Sequence, residues 1–412
     1  MKTRSRTFKK VLTVVGLLVA IVGISLLLGS KKTEDILDYF RPFFQALMYV
    51  ENEYYGKESI DHDKLLEGAI EGLLEGLDDP FAWYFSPEEA EESRIDTEAQ
   101  YGGLGIVVEY DSQHKAIRVI SPMVGSPAMK AGLQAGDLII TIDGTPVSTM
   151  GYWEAIQNLR GTPGEPVTIE VLREGVDEPL VFTIVRERIE LKTVHYDFLE
   201  TKQGRVGYIR LTRFSRPTPD ELRKVLNTVY DTGVKGLILD LRDNPGGLLD
   251  VAIEVASLFV DEGVIVRVKG SRGIVDVYRS YGNEYPNLPM VVVVNKGSAS
   301  ASEIVTAALR DNNIATVVGT TTYGKAAVQR VFPLYNGGEL WLPIAHYFTP
   351  SGEDIHMKGV KPQITVESTI TTQIPSAELT ITKMHVEWRK DPYLVKAVEV
   401  LEEKIHALEV KP

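Results

Sequence analysis

From Met290 to Glu303 the chain reads Met-Val-Val-Val-Val-Asn-Lys-Gly-Ser-Ala-Ser-Ala-Ser-Glu. The apolar run 290–294 predicts a strand that is covered on both faces, and the residues after Glu303 have the apolar spacing of a helix. Ser300, at this strand-to-helix turn, would lie beside free backbone N–H groups and the positive end of the helix dipole, which together stabilise an oxyanion. Ser300 and Glu303 also have the spacing of a capping box, a purely structural role. The segment therefore leaves two interpretations of Ser300 open, nucleophile and helix cap.

A serine nucleophile needs a base, and none of the histidines in the α/β region sits in a recognisable triad motif. A lysine can act as the base when burial lowers its pKa from about 10.4 towards neutrality. Lys325 is the candidate, because it follows Gly324 after an apolar run at 314–318 and has Ala326 and Ala327 beside it. These neighbours favour the apolar surroundings that such a base requires.

The residues around Lys325 also approach the pattern of a phosphate-binding loop. Residues 319–326 read Gly-Thr-Thr-Thr-Tyr-Gly-Lys-Ala, one residue short of G-x-x-x-x-G-K-[ST]. Ala326 stands where the hydroxyl that binds Mg²⁺ belongs, and residues 328–334 predict a strand where a phosphate-binding loop runs into a helix. A nucleotide-dependent enzyme is therefore the least favoured interpretation.

Patterning along the chain predicts a multidomain α/β protein. Short strands separated by Gly, Pro and Asp-Gly turns fill one domain, and buried strands alternate with helices in the next, which ends with a β-hairpin at 328–348. The predicted segments are a cytoplasmic tip and anchor at 1–32, a helical domain at 36–98, a strand-rich domain at 99–187, an α/β core at 193–375 and a C-terminal helical segment at 376–412.

Charge and composition exclude several classes of function. The net charge of −13 and the lack of a basic stripe argue against a nucleic-acid partner. The absence of cysteine excludes disulfides, thiolate metal sites and a cysteine nucleophile. Neither H-E-x-x-H nor paired histidine ligand spacing is found in the sequence, so we expect no metal and no cofactor.

The N-terminus predicts a membrane anchor. Residues 11–29 carry no charge and are about long enough to cross a ~30 Å hydrocarbon core. Lys and Arg precede them, which keeps the N-terminus cytoplasmic. A cleaved signal peptide is the alternative, but the apolar run is long and no A-x-A-like site follows it. The sequence thus predicts a single-pass cell-membrane protein whose catalytic domains lie outside the cytoplasm, released if this segment is cleaved.

Taken together, several motifs resemble those of the S41 family of C-terminal processing (tail-specific) serine proteases, over residues 36–405. In chain order they are Leu-Asp-Asp-Pro at 77–80, Tyr-Gly-Gly-Leu-Gly-Ile at 101–106, Ser-Pro-Ala-Met-Lys-Ala-Gly-Leu at 126–133, Gly-Asp-Leu-Ile at 136–139, Asp-Leu-Arg-Asp-Asn-Pro-Gly-Gly at 240–247, Gly-Ser-Ala-Ser-Ala-Ser-Glu at 297–303, Tyr-Gly-Lys at 323–325 and Tyr-Phe-Thr-Pro-Ser-Gly at 347–352. The resemblance implies a crotonase-like ββα protease core with an inserted PDZ domain, an N-terminal helical domain and an N-terminal transmembrane anchor.

The resemblance also implies roles for individual residues. Ser300 would be the nucleophile, Lys325 the general base, and Gln329 the residue that orients the lysine. The oxyanion hole would use the N–H groups of Ala301 and Gly246. Gly247 replaces Gly246 if the glycine turn aligns with the family motif one residue later. Where the family often has Gly directly after the lysine, this chain has Ala326, a change that could restrict how Lys325 moves into place.

Residues 99–187 resemble a PDZ domain, in which a peptide adds as a strand and its terminal carboxylate binds the amides of a Gly-rich loop. The residues that match this loop, and so are expected to bind peptide, are Gly103, Leu104, Gly105 and Ile106. A plain glycine turn is the structural alternative.

The sequence therefore predicts a serine endopeptidase that captures protein C-termini, with apolar C-terminal peptides as substrates and self-association as a possible homodimer. A non-catalytic PDZ or ligand-binding protein on the same fold is the alternative. The two differ in whether Ser300, Lys325 and Gln329 perform chemistry.

Overall fold

The structure, a computed structural model, describes residues 30–273, 275–368 and 378–410, with side chains from residue 35 onward. The chain divides into two units, Met1–Ile70 and Glu71–Pro412. The first unit is helical where it is described, as predicted, and its apolar side chains are largely exposed. Its helices are α1 (Ser30–Tyr39), α2 (Arg41–Glu53) and α3 (His62–Glu75), the last of which continues into the second unit.

The second unit begins with a short strand and a capped helix, β1 (Trp83–Phe85) and α4 (Pro87–Glu98). A capping box at Ser86 begins α4: Ser86 Oγ accepts from the Glu89 N–H at 3.2 Å, and Glu89 Oε2 accepts from the Ser86 N–H at 2.9 Å. Two N–H groups that a helix start leaves unpaired are thereby satisfied. The cap fixes where the chain turns from β1 into α4.

A sheet with its own core follows, in the order β3-β4-β5-β7-β8, with β6 pairing β5. Its apolar cluster includes Ile117, Ile139 and Ile169, all fully buried, so this region has a core separate from the rest. The elements are β3 (Ile106–Asp111), β4 (Ala116–Pro122), α5 (Pro127–Ala131), β5 (Leu138–Ile142), β6 (Thr145–Pro146), α6 (Tyr152–Leu159), β7 (Pro166–Leu172) and β8 (Leu180–Val185).

Two paired strands connect this region to the remainder of the second unit. On the way in the chain forms β2 (Gln100–Gly103), and on the way out it forms β9 (Glu187–Glu190). They pair antiparallel from Gln100↔Glu190 to Gly103↔Glu187. The region is therefore an insertion whose two ends lie side by side.

A mostly parallel six-stranded sheet has the order β10-β11-β12-β15-β16-β19; β10 pairs antiparallel, and the pairs from β11 onward are parallel. Along β15, Val292 and Val294 pack with the cluster that includes α7–α9, whereas Val291 and Val293 pack with α10. The strand is covered on both faces, as its sequence predicts. The elements are β10 (Val194–Thr201), β11 (Gly204–Leu211), α7 (Thr218–Asp231), β12 (Leu237–Asp240), α8 (Leu249–Ser257), β15 (Met290–Val294), α9 (Ala301–Asp311), β16 (Ala315–Gly319), β19 (Ile364–Thr365) and α10 (Pro392–Glu409).

A five-stranded sheet completes this unit. Its order is β1-β18-β13-β14, and β17 also pairs with β18. The predicted hairpin is confirmed, because β17 and β18 pair antiparallel from Ala327↔His346 to Pro333↔Glu339. Strand β1 joins the other edge of β18 through Trp83↔Trp341. The remaining bounds are β13 (Val264–Gly270), β14 (Val275–Arg279), β17 (Ala327–Pro333) and β18 (Glu339–Phe348).

The sequence-based membrane prediction needs correction. Over residues 30–273, 275–368 and 378–410, no helix has both the length and the apolar character needed to cross a bilayer. The predicted anchor at 11–29 lies outside the described residues. A single-pass membrane localisation is therefore not supported by this structure.

Candidate active site

Ser300 lies in a sharp turn at the start of α9. Its backbone has φ +53° and ψ −115°, a region that residues with a side chain rarely occupy. The Ser300 N–H donates to Glu303 Oε2 at 2.9 Å, so the spacing that predicts a capping pair does bring the two residues together. Strain of this kind, held by its surroundings, is frequent at functional sites.

Glu303 is fully buried and also holds the loop that carries Lys325. Its Oε2 accepts the Lys325 N–H at 2.9 Å, and its Oε1 accepts the Gly324 N–H at 2.7 Å and the Thr322 hydroxyl at 2.6 Å. Burial raises the pKa of Glu303, and these hydrogen bonds oppose the rise. One carboxylate thus joins the turn that carries Ser300 to the loop that carries Lys325.

Tyr347 on β18 adds a second link between the same two residues. Its buried hydroxyl lies 3.1 Å from the Ser300 carbonyl oxygen and contacts the Lys325 carbonyl oxygen. Burial holds the pKa of Tyr347 well above its usual value, so the phenol keeps its proton. The backbones of Ser300 and Lys325 are fixed from two sides.

The side chain of Lys325 does not reach Ser300. Its ammonium lies over the ring of Trp83, 4.1 Å from the centroid, and within the described chain no hydrogen bond joins it to the Ser300 hydroxyl. Burial lowers the pKa of Lys325 from 10.5 to about 8, against the opposing effect of Glu303. Lys325 thus has a lowered pKa, and its ammonium contacts Trp83 with no hydrogen bond to the Ser300 hydroxyl.

Gln329 on β17 also has a partner other than the one predicted. Its Nε2 donates to the backbone oxygen of Phe81 at 2.7 Å. The segment Phe81–Trp83 therefore contacts both Lys325 and Gln329.

The Gly246-Gly247 turn lies against Ser300, as predicted. A Cβ on Gly246 would be 2.7 Å from Ser300 Cβ, so only glycine allows this approach. The Gly246 N–H donates to Asn244 Oδ1 at 2.9 Å, whereas the N–H groups of Ala301 and Gly247 have no acceptor in the part of the chain that the structure describes. In this conformation Ala301 and Gly247, rather than Gly246, present free donors.

The predicted peptide-binding loop lies where β2 leads into β3. Leu104 is 2% exposed and packs into the core of the inserted region, so its side chain is not on the surface. Gly105 has φ +70°, and a Cβ there would be 2.5 Å from that of Ser126. Gly103 ends β2 and Ile106 begins β3.

The competing interpretations of the sequence fare differently. Lys325 leads into strand β17 and not into a helix, so the arrangement of a phosphate-binding loop is missing. His195 bonds the Lys192 carbonyl oxygen, and His346 stacks on His356, so these histidines have partners other than Ser300. Among the described residues there is no cluster of three or more possible metal ligands.

Ser300 and Lys325 open into one cleft of about 660 Å³. Its walls come from β1, α4, α6, the Gly246-Gly247 turn and the β17–β18 hairpin. Side chains of this cleft include Trp83, Glu92, Trp153, Phe214, Leu248, Ile304 and Gln329.

Comparison with known proteins places this arrangement in a family. The profile of peptidase family S41 matches residues 205–366, and a PDZ domain profile matches residues 118–173. A carboxy-terminal-processing protease of Bartonella bacilliformis is 41% identical over 328 residues, covering 78% of this chain and 74% of the relative. The chain belongs to peptidase family S41.

Other comparisons agree with this family. The carboxy-terminal processing protease CtpA of Bacillus subtilis is 37% identical over 86% of this chain and 75% of its own. Residues 27–89 match the profile of the activating protease CtpB N-terminal domain. A solved photosystem II D1 C-terminal processing protease is 31% identical, with a TM-score of 0.46 over 79% of this chain and 86% of its own. As an S41 member with a PDZ profile match and with the Bartonella and Bacillus proteases as relatives, the chain is a carboxy-terminal processing serine protease with a PDZ domain, and its substrates are proteins or peptides.

Sequence reasoning missed three residues of this S41 site. Trp83, Asn244 and Tyr347 all lie within motifs or segments that the sequence singles out, but their contacts join elements far apart in the chain. The capping-box spacing of Ser300 and Glu303 in the sequence predicts the contact between these two residues. Nothing in the sequence indicates that the same carboxylate holds Lys325.

Proposed function

We propose that this protease recognises protein C-termini through its PDZ domain and cuts upstream with a Ser300/Lys325 dyad. The observation that carries the proposal is the buried Glu303 carboxylate, which bonds the backbone N–H of both Ser300 and Lys325. It sets a serine in a strained turn and a lysine of lowered pKa at the same cleft.

The reaction would use two steps at Ser300. Neutral Lys325 accepts the hydroxyl proton while Ser300 Oγ bonds the substrate carbonyl carbon, and the lysine returns the proton to the leaving amine. Water then attacks the acyl-enzyme and Ser300 Oγ leaves with a proton. Before the first step, the Lys325 side chain must rotate from Trp83 to Ser300. Gln329 must also release its hydrogen bond to the Phe81 backbone oxygen and bond Lys325 instead, so that it orients the lysine.

The developing oxyanion would bind the Ala301 N–H and one N–H of the glycine turn. Gly247 offers its N–H without rearrangement, whereas Gly246 requires Asn244 to release it. Donors fixed in this way contribute substantially to acyl transfer. The assignment to Gly246 stays a prediction, with Gly247 favoured in the present conformation.

Peptide capture would use the backbone amides of 103–106, since Leu104 is committed to the core. The groove is bounded by β3 and α6, and an apolar C-terminal residue with a free carboxylate is the expected ligand. The homodimer stays a prediction that sedimentation of the purified chain would test.

The decisive experiment is proteolysis of an unfolded protein with an apolar C-terminus by the purified full chain. Ser300→Ala and Lys325→Ala should abolish cleavage, while Lys361→Ala, at an exposed lysine, should cleave normally. Amidating the substrate C-terminus removes the terminal carboxylate and should weaken substrate binding, while the peptide bond to be cleaved stays chemically the same. Binding of the free C-terminus with no cleavage by wild type under any condition would favour the non-catalytic alternative.

A further inference from the structure

The ring of Trp83 lies against the charge of the proposed base. The Lys325 ammonium lies 4.1 Å from its ring centroid, within the range of a cation–π contact. The contact crosses from β1 to the start of β17, two elements that both border β18. It is a tertiary arrangement and not a consequence of nearby sequence.

The indole is held firmly in this position. Its Nε1–H donates to the Pro80 carbonyl oxygen at 2.9 Å, and its ring stacks with that of Phe85. The backbone of Trp83 pairs with Trp341. A ring fixed by its own hydrogen bond and by a strand pair offers a preformed face to the ammonium.

We propose that Trp83 is a positioning residue for the base: its ring holds the Lys325 ammonium off Ser300, and deprotonation frees the amine to reach the serine. This inference rests on the proposed dyad. The quadrupole of an aromatic ring attracts a cation but not a neutral amine, so the contact is specific for the protonated lysine. Trp83 would act through Lys325 and need not touch the reacting atoms.

Other charged groups around Lys325 do not replace this contact. Glu303 favours the charged form of Lys325, but its oxygens are engaged by backbone N–H groups and Thr322. Tyr347 keeps its proton and contacts the Lys325 carbonyl oxygen. The turn next to Gly324 carries His356 and Lys358, and the cleft is also lined by Glu88, Glu89, Glu92, Asp96 and Arg213.

A fluorescence titration tests the contact without any turnover. In full-length Ser300→Ala protein, tryptophan emission should change in a step with its midpoint near pH 8 as Lys325 loses its proton. The step should vanish in Ser300→Ala with Lys325→Met, and likewise in Ser300→Ala with Trp83→Phe. Trp388→Phe is the matched control, because the ring of Trp388 faces Arg389 and not Lys325, and this variant should keep the step.

Kinetics on the active enzyme give a second, independent readout. Trp83→Leu keeps an apolar side chain but removes the ring's attraction for the ammonium, so the pKa seen in kcat/KM should fall by about half a pH unit. Relative to its own rate at pH 9.5, the variant should then be about two- to threefold more active at pH 7 than wild type. A merely structural role would lower the rate equally at every pH.

The outcomes separate this inference from the proposed dyad. A step of the same size and midpoint in Trp83→Phe, or an unshifted kinetic pKa in Trp83→Leu, overturns the role of Trp83. If the fluorescence step behaves as expected but Lys325→Ala still cleaves, the dyad is wrong and the contact between Trp83 and Lys325 stands.

Discussion

The buried carboxylate of Glu303 accepts the backbone N–H of Lys325 at 2.9 Å. The same oxygen accepts the N–H of Ser300, also at 2.9 Å, so the backbones of Ser300 and Lys325 are fixed relative to each other. The Lys325 ammonium has a partner of its own, the ring of Trp83. A rigid backbone with one movable side chain allows the site to change state without refolding.

Glu303→Gln should destabilise the protein and abolish cleavage. Each oxygen of Glu303 accepts at least two donors, so either orientation of the amide places an NH₂ group against donors that have lost their acceptor. Unsatisfied buried groups of this kind cost about 1–3 kcal/mol each. Urea unfolding should show a loss of at least about 2 kcal/mol, whereas Glu353→Gln, near the surface, should stay within about 0.5 kcal/mol. An unchanged midpoint for Glu303→Gln would contradict this account.

Lys325→Met should stabilise the protein at neutral pH. The folded state lowers the pKa of Lys325 to about 8, so the unfolded chain binds its proton more tightly. Burial of the Lys325 ammonium therefore lowers the free energy of unfolding of wild type by its full amount below about pH 8. This loss of stability disappears as the pH rises towards about 10.5.

At pH 7 the free energy of unfolding of Lys325→Met should exceed that of wild type by about 2–3 kcal/mol, since one pKa unit corresponds to about 1.4 kcal/mol. This difference is called the gap below. Urea unfolding of both proteins at pH 7 and at pH 9.5 measures it, and the gap should narrow at the higher pH. Lys361→Met, at an exposed position, is the control and should show no gap. A gap that is equal at both pH values would exclude burial of the charge as its cause.

The rate of cleavage should rise with pH through the pKa of Lys325. Only about a tenth of the lysine is neutral at pH 7 when its pKa is about 8, and half is neutral at pH 8. We therefore expect kcat/KM to increase about fivefold between pH 7 and 8 and to level off above about pH 9. A profile that falls over this range would point to a different base.

Tyr347→Phe should reduce kcat more than it affects stability. The variant removes the hydroxyl that contacts the Ser300 and Lys325 carbonyl oxygens, at a cost of about 1 kcal/mol in folding. Tyr230→Phe is the matched control, because Tyr230 donates to the Pro286 carbonyl oxygen at 2.8 Å from outside the cleft. If both variants lose the same stability but only Tyr347→Phe loses cleavage rate, the positioning role of Tyr347 is supported. If the two variants cleave at the same rate, that role is refuted.

Much of the fold could be predicted from local sequence. The strand predicted at 290–294 and the hairpin of β17 and β18 are both confirmed, because each depends on residues close together in the chain. The family was also predictable, since its motifs occur in a fixed order. The predicted membrane localisation is not borne out, because no helix of the described residues could span a bilayer, and the segment 11–29 on which the prediction rested lies outside them.

The state of the site could not be predicted in the same way. That Lys325 contacts Trp83, that Gln329 bonds Phe81 and that the Gly246 N–H bonds Asn244 all depend on side-chain rotations within an assembled cleft. Motifs identify which residues are present at a site. They carry no information on which of two nearby partners a side chain takes, because the alternatives differ by little in energy.

The pairing of β2 with β9 has a consequence for how such a protease can diversify. Gly103 and Glu187 are paired across two antiparallel strands, so their Cα atoms are only about 5 Å apart. A two-residue turn spans that distance, and so does any domain whose own ends lie close together. The stretch between them could therefore be exchanged in a single recombination event, but because it carries Trp153 of the cleft, such an exchange would also change the surroundings of Ser300.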